Sequence, residues 1–143
     1  MSTENVTDSP TSWVNEHIQQ YVESSGTKGH TWNGVPTLLL TTRGRTSGQL
    51  RRTALIYGRD GDSYLIVASY GGSPEHPNWY RNLAADPDVR VQVGPDEFAA
   101  RARTANVEER ARLWPRMAEI WPAYDEYQTK TDREIPIVIL DPA

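Results

Sequence analysis

Short turns between strand-like runs constrain this chain more than any other feature. "LRRTALIYG" (50–58) and "SYLIVASY" (63–70) are separated by "RDGD" with its Asp60-Gly61 pair. "VRVQV" (89–93) and "FAARARTA" (98–105) are separated by "GPDE". Turns of this length join antiparallel neighbours, whereas parallel neighbours need a crossover of about a dozen residues or more. Val89, Val91 and Val93 fall on one face of their run, and Arg101 and Arg103 point outward from the next. That alternation describes a hairpin with one wet face. "VPTLLLTTR" (35–43) reads as a buried strand and "IPIVIL" (135–140) as a last one. The sum is about six mainly antiparallel strands with flanking short helices, an α+β sheet or small barrel.

The helical segments are short. Trp13, Val14, His17, Ile18, Tyr21 and Val22 share one face of a helix over 11–23, with Ser12 as cap and "SSGTKG" as stop. Its polar face carries Glu16 and Glu23, which does not suit attachment to anionic lipid by charge. "NWYRNLAADP" (78–87) is a helix halted before Pro87. Asn106 with Glu109 three residues on is a capping pattern, and Pro115 and Pro122 predict kinked or consecutive short helices after it. Residues 1–10 read as a disordered leader and 11–143 as a single domain.

Composition removes several function classes. The chain has no cysteine, and His17, His30 and His76 lie far apart, so neither thiolate chemistry nor a metal site is expected. No apolar run approaches the length of a membrane span. "MSTENVTDSP" has neither the basic nor the apolar region of a secretory signal, which makes a cytoplasmic protein the expectation. With a pI of about 5.3 the chain is a poor general binder of nucleic acid.

Against that acidic background, "TTRGRTSGQLRRT" (41–53) holds Arg43, Arg45, Arg51 and Arg52 and no acid. Gly44 and Gly48 let the backbone turn sharply, and Arg45, Ser47 and Gln49 can aim donors into the loop. Arg51 and Arg52 alternate in strand geometry and so point to opposite faces. The group could hold a phosphate or several carboxylates; the alternative is an arginine-rich surface loop paired with acids elsewhere. It is not a Walker A loop, for it lacks the lysine and the following helix. In "VASYGGSPEHPNWYRNL" (67–83) a Gly-Gly loop leads into a helix N-terminus near Asn78, with Trp79 and Tyr80 placed to stack on a flat ligand or to cap the core. Trp121, Tyr124 and Tyr127 recur at threes and could line a cleft or pack inside.

The combination "GR-x-SGQ-x-R … GG…P-x-WY-x-NL … IPIV", spread over about residues 35–142, resembles the deazaflavin-dependent nitroreductases, the Ddn-like F420H2-dependent quinone and nitro reductases of actinobacteria. The resemblance implies a split β-barrel and coenzyme F420, an 8-hydroxy-5-deazaflavin with a phosphate and an oligoglutamate tail, and no metal. It places the tail at Arg45, Thr46, Ser47 and Arg51, with Gln49 also among the cofactor-binding residues. The ring would run beside Arg52, Thr53, Ala54, Leu55, Ile56 and Tyr57, and beside Val67, Ala68, Ser69 and Tyr70. Asn78, Trp79, Tyr80, Arg81 and Asn82 would close one side. Tyr124 would cover ring and substrate, with Ile56, Trp121 and Tyr127 also against the substrate. Thr46 and Tyr70 stand where relatives often have lysine, Ala54 where they have proline, and Ile56 and Trp121 where some have tyrosine.

The implied reaction is hydride transfer from reduced deazaflavin to a quinone, nitroaromatic or activated enone, with Ser69 and Tyr124 as the catalytic hydroxyls. The alternatives are a non-catalytic F420 carrier, an FMN-dependent reductase on the same fold and a basic-loop nucleic-acid module. Some relatives also suggest peripheral contact with the inner face of the cell membrane.

Overall fold

The computed structural model describes residues 6–8, 18, 31–32, 35–46, 48–72 and 74–143. Nine strands are described: β1 (Val6–Asp8), β2 (Thr31–Trp32), β3 (Val35–Arg43), β4 (Leu50–Ile56), β5 (Gly58–Asp60), β6 (Ser63–Val67), β7 (Asp88–Val93), β8 (Asp96–Thr104) and β9 (Ile137–Pro142). Three helices join them: α1 (Asn78–Ala85), α2 (Val107–Ile120) and α3 (Ala123–Thr129). A 3-10 turn spans Tyr70–Gly72.

The strand order is β1-β4-β3-β7-β8-β9-β6-β5, with β2 on β3. Every pairing is antiparallel except β1 on β4. β4 and β5 are one run interrupted only at Tyr57. Its first part pairs with β3 and its second with β6, so the same stretch of chain stands at both ends of the order. The sheet therefore curls into a split barrel whose six staves are the six expected strands. β5 takes the edge of β6, and the edge of β4 away from β3 is taken by β1. Val6–Asp8 thus pair as a strand within the stretch expected to be a disordered leader; the rest of 1–10 lies outside the described residues. Of the expected helix over 11–23 only Ile18 is described. It is helical and fully buried against Leu39.

Alternation sorts the strands into two cores. Leu38, Leu40, Ile66, Val89, Val91, Ala100, Ala102, Val138 and Leu140 fill the barrel. Leu65, Val67, Ile137 and Ile139 face outward and are covered by Leu113, Met117 and Tyr124 from α2 and α3. Arg101 and Arg103 are exposed, as the alternation requires. α1 stoppers the barrel with Leu83, Trp79 and Tyr80.

Four boundaries differ from the sequence expectation. The first hairpin turns at Gly61 and Asp62, one residue later, because Asp60 still pairs with Ser63. β6 stops at Val67, since Tyr70 adopts φ 45° and leaves the sheet. β9 begins at Ile137, because Ile135 spends its amide on Gln128 Oε1 and its carbonyl on Arg110 Nε. α2 continues through Pro115 without a break. Leu113 and Met117, on either side of it, are fully buried. Each contributes about 1.5–3 kcal/mol on burial, enough together to offset the roughly 3 kcal/mol cost of an internal proline. The break falls at Trp121–Pro122, between α2 and α3, where the second proline was expected to make one. The capping box of Asn106 and Glu109 forms as its spacing predicts.

Candidate active site

The arginine-rich loop closes on itself. Gly44 N donates to Gln49 O at 2.7 Å and Gly48 N to Gly44 O at 2.8 Å. Arg43 Nη1 adds a bond to Gly48 O at 2.7 Å. Arg45, Thr46 and Gln49 are left exposed, and Ser47 lies outside the described residues. One buried residue anchors the loop. Asn82 of α1, 5% exposed, accepts at Oδ1 from Arg45 N (3.2 Å) and Arg45 Nη1 (2.9 Å). Its Nδ2 donates to Thr42 Oγ1 at 3.3 Å. A neutral amide is suited to this place, because it orders a cation without cancelling its charge.

Cross-strand register places the other cations. Arg51 pairs with Thr42 and Thr53 with Leu40, so both share the face on which Asn82 lies. Arg52 pairs with Thr41, and Thr41 pairs in turn with Arg90. These lie on the reverse face, in a shallow groove of about 380 Å³ with Gln92 and Glu97. The expected run from Arg52 to Tyr57 is thereby divided. Ala54 packs toward Leu39 on the outer face, and Ile56 alternates to that side. Leu55 and Tyr57 turn into the barrel. Val67 and Ala68 are buried as well, so a ligand beside them meets main chain more than side chain.

In α1 the side chains of Trp79 and Tyr80 are half-buried on the barrel core, edge to face at 6.3 Å. Tyr80 Oη is 3.0 Å from Thr104 Oγ1. Asn78 and Arg81 are exposed.

A second group forms where the chain leaves β6. Arg133 reaches the turn after β6 from the far end of the sequence. Its Nη1 donates to Ala68 O at 3.2 Å and its Nη2 to Ser69 O at 2.8 Å. Gly72 N also donates to Ser69 O, at 2.9 Å. Tyr70, at φ 45°, is 59% exposed. Gly72 sits at φ +84° against α3, so close that a Cβ there would be 2.7 Å from Tyr127 O. This contact brings Ser69 and Tyr70 beside the helix that carries Tyr124 and Tyr127. Tyr124 is buried with its ring 6.3 Å from those of Trp114 and Tyr127, and burial pushes its phenol far above the usual value of 10.0. Trp121, Tyr127 and Ile56 are half-buried. The two groups are linked by His76, whose ring lies 4.7 Å from that of Tyr80 and whose Nδ1 is 3.1 Å from Arg133 Nη1.

Sequence reading passed over Thr42, His76 and Arg133. Arg133 adjoins the "IPIV" motif, but its partners lie 64 and 65 residues away, and no local spacing signals them. Among the described residues no group of three side chains is placed to hold a metal ion, and no helix is long and apolar enough to cross a membrane.

The family profile described as F420H2-dependent quinone reductase matches residues 13–142. An F420H2-dependent quinone reductase of Mycobacterium tuberculosis is 45% identical over 128 residues, 87% of this chain and 86% of the relative. A solved F420-H2-dependent reductase, FDR-A, is 44% identical with a TM-score of 0.69, over 74% of this chain and 94% of that one. A solved structure described as a domain-swapped dimer is 42% identical with a TM-score of 0.72, over 93% of this chain and 100% of that one.

Proposed function

Because this chain belongs to the F420H2-dependent quinone reductase family, we propose that it binds coenzyme F420 with its anionic tail at Arg45 and Arg51 and reduces a quinone beside Ser69 and Tyr124. It is an oxidoreductase of that family and its cofactor is F420. The observation that supports the tail site is the Asn82 anchor. It holds Arg45 by main chain and guanidinium together, and Arg51 stands on the same face beside Thr42. Two exposed arginines and adjacent hydroxyls, of which Arg45 and Thr42 are ordered by an uncharged amide, fit a phosphate and carboxylates better than any neutral ligand. Gly48 at φ +72° has open space where a Cβ would stand, which leaves the loop backbone approachable.

When bound, reduced F420 supplies a hydride, and the protein supplies position and electrostatics. Half-buried Trp79 and Tyr80 exclude water from one side, and Trp121 and Tyr127 do so from the other. Ser69 Oγ and Tyr124 Oη donate hydrogen bonds to the acceptor oxygen, where negative charge accumulates. Burial keeps the Tyr124 phenol protonated throughout the physiological range, so it serves as a donor and not as a base. Nitroaromatics and activated enones share the electron-poor character of quinones and are proposed as further acceptors. Ile56 and Trp121 set how bulky those acceptors can be.

The test is to mix the protein with reduced F420 and menadione and follow the return of deazaflavin absorbance, with FMN and NADPH in parallel. Oxidation with F420 alone is expected. F420 binding without turnover across an acceptor panel would replace the enzyme by a carrier. Ser69→Ala is expected to lower kcat by about a hundredfold to a thousandfold, the range for losing one donor to a developing oxyanion. F420 affinity should stay within about threefold of wild type, because Ser69 is assigned to the acceptor. An affinity that collapses while turnover per bound cofactor persists would reassign Ser69 to the cofactor.

A further inference from the structure

The turn over Ser69–Gly72 is held in a costly shape. Tyr70 carries a full side chain in the left-handed region at φ 45° and is 59% exposed, so its own packing does not keep it there. Such a conformation persists only where the surroundings over-determine it. On one side the surroundings are α3, which Gly72 touches at the Tyr127 main chain. On the other they are Arg133, whose two terminal nitrogens hold the successive carbonyls of Ala68 and Ser69. A planar fork matches two adjacent carbonyls in a way a point charge does not.

We propose that Arg133 is the positioning residue that fixes the Ser69 turn for the reaction, and that His76 makes this clamp sensitive to acid. The inference rests on the assignment of Ser69 to the acceptor. A guanidinium offers only donors, so His76 Nδ1, 3.1 Å from Arg133 Nη1, accepts. The ring is therefore neutral, with its proton on Nε2. It is faced by Arg133 from the segment before β9 and by Tyr80 and Arg81 from α1, with Glu75 beside it on its own loop. A protonated ring can no longer accept, and it sets a positive charge against the guanidinium.

Burial, then Arg133 and Arg81, hold the His76 pKa below its ordinary 6.5. A histidine depressed in the folded state contributes fully above pH 6.5, and its contribution fades as pH falls through the lower folded value. The clamp is thus intact at neutral pH and loosens on the acid side.

Two measurements on the full chain test this: amide hydrogen exchange over 68–72 without cofactor, and steady-state kinetics against pH with reduced F420 and menadione. In Arg133→Gln, exchange of the Gly72 amide should rise by about tenfold or more and kcat should fall about as far, with F420 affinity within about threefold. Arg133→Lys should recover part of kcat, since a lysine can reach one carbonyl. In His76→Asn, whose side-chain oxygen replaces Nδ1 without titrating, the acid limb of kcat should flatten. Unchanged exchange in Arg133→Gln would overturn the clamp. So would kcat and affinity falling together with no recovery in Arg133→Lys. An acid limb that persists in His76→Asn would overturn the coupling. Should Arg133→Gln fail to fold, Arg133→Lys carries the same exchange and pH comparison. Normal turnover in Ser69→Ala would sink the Ser69 assignment alone, because faster Gly72 exchange in Arg133→Gln would still report the clamp.

Discussion

Replacing Gly72 with alanine is expected to cost both stability and turnover. At φ +84° a Cβ is strained wherever it points. Here it would also meet Tyr127 O at 2.7 Å, Lys130 Cβ at 3.0 Å and Tyr127 Cα at 3.2 Å. Two of those atoms are main chain of α3, so relief requires the turn and the helix to part. Conformational strain and overlap together should cost about 2–4 kcal/mol. For a domain of this size that lowers Tm by roughly 6–12 °C. The displaced turn carries Ser69, so kcat should fall by about tenfold or more. Gly48→Ala is the control: its φ is +72°, but nothing lies within 4 Å of the added carbon. It should show the strain alone, on the order of 1 kcal/mol. Equal losses of Tm in the two variants would mean that the contact with α3 does not constrain the turn.

The second large effect is expected at Asn82. Leucine has a similar volume, but it removes the acceptor shared by Arg45 N and Nη1 and the donor to Thr42. A hydrogen bond to a charged group contributes about 1.5–3 kcal/mol. With Arg45 no longer held, F420 affinity should weaken by about tenfold to a hundredfold, by the same arithmetic. Asn82→Asp separates order from charge. The carboxylate keeps the acceptor, so Tm should stay close to wild type. It also neutralises Arg45 toward the anionic tail, so affinity should still weaken. Thermal melting and titration of F420 fluorescence read the two effects. An Asn82→Leu variant that binds F420 within threefold of wild type would remove Arg45 from the tail site.

Much of the fold was legible because it is periodic. The valines of β7, the Ala100/Ala102 and Arg101/Arg103 alternation in β8, and the Asn106–Glu109 box all follow from spacings of two and three residues. The errors came where a distant group outbid the local pattern. Ile135 looked like strand, yet Gln128 and Arg110 took its polar groups. Pro115 looked like a break, yet two buried neighbours held the helix through it. Leu55, Tyr57, Val67 and Ala68 stand in the runs expected beside the cofactor with their side chains in the cores, so main chain is what those positions offer a ligand.

Taken alone, the sequence determined which faces are wet, where the chain turns, that positive charge gathers at 41–53 and, through its motifs, the family. Those properties reside in neighbouring residues and survive in any fragment. Tertiary structure decided that β4 and β5 meet β3 and β6 to close the barrel. It also decided that Arg51 shares a face with Asn82 while Arg52 does not, and that Arg133 crosses 64 residues to reach Ser69. The physical reason is that periodicity encodes the direction of a side chain and not what stands opposite it. Opposite partners exist only once the strands have chosen their neighbours, and that choice is made by the burial of both cores together.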